Sequence, residues 1–297
     1  MPEAPRSSGI FAYSPWDAVP ALAGVAHLLY LLLLAAIFPV APWWLLLVMG
    51  LIYAISISWN INGISHNFLH NPFFVSEGLN RAFSMVLSLT MFFSQAFYED
   101  VHTRHHIGNG DRLDSEGKTV DPLSIYGHGQ NDKPEGVWPY TFLGFFRDDV
   151  GLTYRHLKRR YPENARWGII EIGAVVLFTI ALLVWNWEFV VFLLPFYYLG
   201  NCLSSLNGYY EHLGSNPDLP VAWGVSSYNR FYNWLWFNNG YHAEHHYRPR
   251  HHWTKMQELR EQIAGQQQSA GTHVISTCHA LGFLDPQNRR IKAELGI

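Results

Sequence analysis

Only 14% of this 297-residue chain is charged, 20 Lys and Arg against 23 Asp and Glu, while 49% is hydrophobic and 16% aromatic. Soluble domains carry about 25% charged residues, so these charges are too few to wet an ordinary globule. The net charge of −3 leaves no basic excess for nucleic acid, and a chain this apolar is not disordered.

In chain order, no Asp, Glu, Lys or Arg stands between Asp17 and Glu77. A hydrocarbon core takes about 20 apolar residues per helix. The interval therefore predicts two membrane spans, at 18–39 and 43–64, turning at the proline-marked run IFPVAP (37–42). The first span follows a leader whose single Arg is Arg6; it has no small-residue cleavage site and is too long for a signal core, so it reads as retained. Residues 82–98 (AFSMVLSLTMFFSQAFY) are apolar but short, and predict a re-entrant helix. The turn-rich run IGNGDRLDSEGKTVDP (107–122) shows no apolar periodicity, and 99–166 reads as a cap without a core of its own.

A second apolar pair follows at 168–186 and 188–207, broken at Asn186. The aromatic-rich stretch 221–241 predicts an interfacial helix; 208–260 completes the cap and 261–297 forms a polar C-terminal tail. All 20 Lys and Arg lie in the leader, within 81–166, or from 230 onward, and none lies in an inter-span turn. By the positive-inside rule the termini and both polar regions are cytoplasmic. The expected fold is an all-α, multi-pass integral-membrane protein, one domain over 1–297, with four transmembrane helices in two hairpins, a re-entrant helix and a cytoplasmic helical cap.

Most of the 16 histidines are grouped. His66 and His70 (HNFLH) close the second span; His102, His105 and His106 (HTRHH) follow the short apolar stretch; His242, His245 and His246 (HAEHH) lie beyond the fourth span. Spacings of three and four put side chains on one helical face. Neutral imidazole suits first-row metals. Eight imidazoles exceed the about four that one structural ion takes, so two ions are expected. The two cysteines, Cys202 and Cys278, stand apart from these groups and no HExxH motif is present. Nitrogen-only ligation of redox-active ions points to iron ahead of copper.

With these groups the chain resembles the membrane fatty acid desaturase and alkane hydroxylase superfamily, whose three histidine boxes it matches in order over about residues 15–255. The run NGYYEHLG (207–214) is similar to the Glu-His motif of the alkane monooxygenases and adds His212 as a ninth ligand. The resemblance implies two non-haem iron ions that activate O2 against an unactivated C–H bond of a fatty acid, acyl lipid or alkane. Hydroxylation is the expected outcome; desaturation and decarboxylation to a terminal alkene are the alternatives. Carboxylates that accept the outer ring N–H normally orient such imidazoles, and Glu99, Asp100, Glu211 and Glu244 adjoin the boxes. Asn238 and Asn239 either hold a water or form a turn with Gly240.

The remaining histidines have structural readings. His251 and His252 suit a headgroup-facing belt, His27 a helix-packing hydrogen bond, and His128 a loop. His156 lies in a basic run where Arg155, Lys158, Arg159 and Arg160 suit lipid headgroups, with a substrate carboxylate or an acidic redox partner as the second reading. Two isolated cysteines cannot build an iron–sulfur centre, and no haem or dinucleotide signature is present. An external ferredoxin, rubredoxin or cytochrome with its reductase is therefore expected as electron donor. A membrane haem carrier would pair single histidines across spans, and a transporter would place ionisable groups at mid-membrane; the spans carry almost none apart from Glu171.

Overall fold

The computed structural model describes residues 9–108, 111–119 and 121–297; Arg6 and three positions of the 107–122 turn run lie outside the described residues. The chain divides into two compact units, each drawn from separated stretches of sequence.

The first unit takes Pro5–Asp100 and Asp148–Leu203. Ser14 opens it with a capping box on the short turn Pro15–Asp17, and α1 (Ala18–Ile37) stops just short of Pro39. Helix α2 starts after Pro42 and runs unbroken over Trp43–His70, 28 residues. That length rises about 42 Å, against about 30 Å of hydrocarbon, so the last turns, which carry the first histidine box, are surplus to a crossing. A π-helical turn at Asn60–Ser65 precedes them. It is bonded from within: Ser65 Oγ donates to Asn60 Oδ1 (3.0 Å) and Asn67 Nδ2 to the Gly63 carbonyl (2.8 Å). His27 on α1 sits 2.7 Å from Ser56 Oγ and 3.0 Å from Asn60 Nδ2, the helix-packing role expected of it.

The apolar stretch 82–98 is two helix ends and a turn, where one short helix was expected. Helix α3 (Glu77–Met91) ends in a left-handed Phe92 (φ 55°), and α4 (Gln95–Gly108) begins three residues later. The turn is fastened by Glu171, fully buried, which accepts from Ser84 Oγ, from Ser94 Oγ (2.6 Å) and from the Ala96 N–H (3.0 Å). Two short helices, α5 (Val137–Leu143) and α6 (Val150–Arg160), precede α7, which spans Pro162–His212 and is 51 residues long. Asn186 breaks α7 (φ −160°, ψ 94°), and its side chain accepts from the Phe189 N–H (3.1 Å), capping the second half. Helices α1, α2 and α7 are the three among the described residues that are long and apolar enough to cross a membrane. Their apolar side chains face outward in number, Leu33, Ile52, Leu177 and Val184 among them, a surface that water does not favour.

The second unit takes Val101–Arg147 and Ser204–Ile297. One core gathers Ile125, Val137, Leu206, Tyr209, Tyr210 and Leu213, and another gathers Val221, Tyr241, Met256, Leu259 and Ile263. The aromatic-rich stretch holds α8 (Arg230–Leu235), one and a half turns long, followed by a tight turn. Helix α9 (His242–Tyr247) leads through α10 (Met256–Ala270) to α11 (Pro286–Leu295). Two-residue strands pair in parallel, β1 (Ser226–Ser227) with β2 (Val274–Ile275). The 261–297 stretch is therefore folded, not a tail: Ile263, Ile275, His279 and Asn288 are buried in it. Its anchors are isolated apolar residues and long-range polar bonds, which leave no periodic pattern to read.

Candidate metal centre

Helix α4 presents His102, His105 and His106 on one face, α9 presents His242, His245 and His246, and α7 ends on His212. His105, His212, His242 and His246 each offer a nitrogen to one group, all within 4.8 Å of one another, and all four rings are buried. Two Nε2 pairs define it: His212 to His242 at 3.1 Å and His105 to His246 at 3.2 Å. A second convergence joins His106 Nε2 to His102 Nε2 and to His245 Nε2, each at 3.0 Å. His66 and His70 belong to the other unit, where they sit a turn apart on α2 with ring centroids at 5.3 Å.

These spacings suit metal ligands. Imidazole nitrogens at about 2.0–2.1 Å from one ion stand about 3.0 Å apart at right angles and about 3.4 Å apart in a tetrahedron. Without a cation, facing Nε2 lone pairs repel unless one ring carries its proton there. The doubly protonated ring is opposed: burial, then the neighbouring His242, His105, His212 and His102, hold His246 well below the usual histidine range, so the ring is neutral. The Nδ1 atoms of His212 and His246 have no hydrogen-bond partner, so nothing else consumes these rings. Neutral imidazoles that aim lone pairs at a common point and hold no thiolate fit a borderline first-row ion such as iron.

His105 is additionally held from behind. Its Nδ1 lies 2.7 Å from Asp121 Oδ2, which fixes the proton on Nδ1 and turns the Nε2 lone pair inward. Burial lowers the affinity of His105 for a proton, but Asp121 outweighs it and the net shift is upward. Asp121 is locked by its other oxygen, which accepts from the Leu123 N–H (2.7 Å). It lies well downstream of the box it serves, in the turn-rich stretch, and only its Asp-Pro turn marks it in the sequence.

The expected carboxylates divide in role. Glu211 accepts from Asn207 Nδ2 and Asn239 Nδ2, both at 2.7 Å, and its Oε1 stands 3.7 Å from His242 Nδ1, beyond hydrogen-bond range. Glu244 turns to Ser226 (2.7 Å), Tyr228 (2.7 Å) and Gln267 (3.0 Å), tying α9 to β1 and α10. Asp100 faces His156 Nδ1 at 2.6 Å, and Glu99 lines a cavity of the apolar unit. Asn239 also donates to the Tyr232 hydroxyl (2.8 Å), so its amide nitrogen ties Glu211 to Tyr232. Asn238 makes the turn: it is left-handed (φ 62°), as is Phe237 (φ 49°), and donates to the Trp253 carbonyl (2.9 Å).

Among the other histidines, His252 is buried and caps the turn Trp253–Lys255, which removes it from a headgroup belt. His279, a lone histidine without motif, is fully buried between the Tyr232 hydroxyl (3.1 Å) and the Val225 carbonyl (2.9 Å). Burial lowers it to about 4, so it is a neutral strut beneath Glu211.

Apolar helices of membrane length joined to buried, convergent imidazoles are the marks of a membrane metalloenzyme. The chain belongs to the fatty acid desaturase family, whose model matches residues 41–277 and so covers all three histidine boxes; this makes it an oxidoreductase of the membrane, lipid-acting kind. No curated protein and no solved structure matches it.

Proposed function

We propose that this chain is an O2-dependent di-iron enzyme that hydroxylates an unactivated C–H bond of a fatty acyl or alkyl chain. The convergence of His105, His212, His242 and His246 carries the reading, because it supplies a thiolate-free pocket of neutral nitrogens. The nine histidines of the three boxes and the Glu-His motif together hold two non-haem irons, with those four assigned to one of them. Bound iron supplies the two-electron activation of O2. The chain's own residues do the rest: Asp121 orients His105, Glu211 and its amide partners brace the floor under His242, and burial excludes water. Four membrane crossings, with α7 crossing twice about Asn186, leave the histidines and both termini on the cytoplasmic side. Electrons come from an external ferredoxin, rubredoxin or cytochrome, since Cys202 and Cys278 stand as unpaired thiols. Hydroxylation is favoured by the Glu211-His212 pair within the NGYYEHLG run.

Iron analysis and product analysis test this together. The purified protein should hold about two irons, and membranes given labelled O2 and a donor system should return a product that keeps its carbon count and gains one labelled oxygen. An unsaturated product without oxygen identifies a desaturase, a product one carbon shorter a decarboxylase, and an iron-free protein with a Soret band overturns the di-iron reading.

A further inference from the structure

Within the apolar unit, the end of α2, the helices α3 and α4 and the start of α7 line an open cavity of about 170 Å3. Its apolar wall includes Phe68 and Leu69; its polar wall includes Arg81, Gln95, Glu99 and Asn164, with the solvent-exposed Glu77 at its edge. Gln95 is only 1% exposed, yet neither Nε2 nor Oε1 has a hydrogen-bond partner. Buried amides without partners are rare because they forfeit their bonds to water. Arg81 is fixed in place: Nε lies 2.9 Å from Glu77 Oε1, Nη2 donates to Asn164 Oδ1 (3.1 Å), and the guanidinium stands over Trp167 at 5.5 Å. These bonds leave Nη1 open. Glu99, one turn beyond Gln95, is pushed up to about 7 by burial, with Arg81 opposing and Glu171, Asp100 and Glu77 adding to the shift. The upward shift weakens the negative charge that Glu99 sets against an anion.

We propose that this cavity receives the carboxylate head of a free fatty acid, with Arg81 Nη1 and Gln95 Nε2 donating to it and Phe68 and Leu69 walling its first methylenes. The donor set selects the ligand. A hydrocarbon leaves the Gln95 amide and Arg81 Nη1 without a partner. The cations of α6, Arg155, Lys158, Arg159 and Arg160, are exposed to solvent, where pairing with a carboxylate is weak. The inference deepens the proposed lipid oxidation by naming its substrate class, and rests on that reading.

The test is calorimetric titration of the iron-loaded, full-length protein in nanodiscs with dodecanoate, methyl dodecanoate, dodecane and acetate. Dodecanoate should bind best, and Arg81→Gln and Gln95→Leu should each weaken it about tenfold or more, the cost of a charge-assisted hydrogen bond, while leaving methyl dodecanoate unchanged. Dodecanoate binding that neither variant weakens overturns the inference. So does a methyl ester that binds wild type as tightly as the acid, and so does acetate binding as tightly as dodecanoate, which identifies a small-anion site only. Should the variants not fold, a photoreactive acid carrying its diazirine beside the carboxyl maps the wild-type site: label on Leu69 or Gln95 supports the inference and label elsewhere overturns it. Product analysis on the same samples separates the two readings. Oxidised product with acid binding untouched by the variants leaves the function standing and removes this site; selective acid binding in an iron-free protein that yields no product does the reverse.

Discussion

His105 shows how a single ring is prepared from two sides. Asp121 takes its Nδ1 proton at 2.7 Å, and its Nε2 faces His246 at 3.2 Å. Partners of this kind typically change metal affinity by about 10–100-fold when mutated. Asp121→Asn should therefore lower iron affinity by that order, measured by chelator competition without reference to turnover. Unchanged affinity would reduce Asp121 to the turn it makes with Leu123. The grouped histidines of the three boxes were legible in the sequence because spacings of three and four are local, and two repeated boxes leave little room for coincidence; His212 was marked only by its Glu-His run. Asp121 and His279 were not, because each reaches its partner through folding across distant sequence, and neither sits in a motif. Adjacency misled in the same way: Asp100 and Glu244 flank boxes but face His156 and the Ser226–Tyr228 segment.

Whole elements were legible where a residue type enforces a boundary. Pro39 and Pro42 bound the connection between α1 and α2, and Asn186 breaks α7 by capping its second half. The turn at Phe92–Ser94 was hidden because its residues are as apolar as the helices beside them, and the group that holds it, Glu171, is far away in sequence. That charge in a greasy helix is the ligand of the turn. Removing it strands two hydroxyls and the Ala96 N–H, each costing about 1–3 kcal/mol when buried unpaired. Glu171→Leu should lower the melting temperature sharply and release the start of α4, seen as faster amide exchange over residues 95–100; Glu171→Gln, which still accepts, should lose less. Equal loss in both would mean that the turn needs both accepting oxygens of Glu171, since the glutamine amide supplies only one.

Across the molecule, the scarcity of charge resolves into placement. The outward faces of α1, α2 and α7 are apolar, and the connections at Val40 and Trp187 are 84% and 61% exposed with no Lys or Arg near either. The basic residues sit instead between Arg81 and Arg166, where α6 carries Arg155, Lys158, Arg159 and Arg160, and from Arg230 onward. Cytoplasmic loops attract such residues, so the proposed topology puts α6 inside and both connections outside. That topology has α7 cross twice about its break at Asn186, because 51 residues are far more than the about 20 that one hydrocarbon core takes. Single cysteines on a background with Cys202 and Cys278 changed to Ser decide it. In intact cells a membrane-impermeant maleimide should label Val40→Cys and Trp187→Cys, and should reach Arg159→Cys only after permeabilisation. Label on Val40→Cys but not on Trp187→Cys would leave α7 without its second crossing. Label on Arg159→Cys alone in intact cells would invert the protein and put its histidines outside, away from the cytoplasmic donors that the proposed chemistry requires.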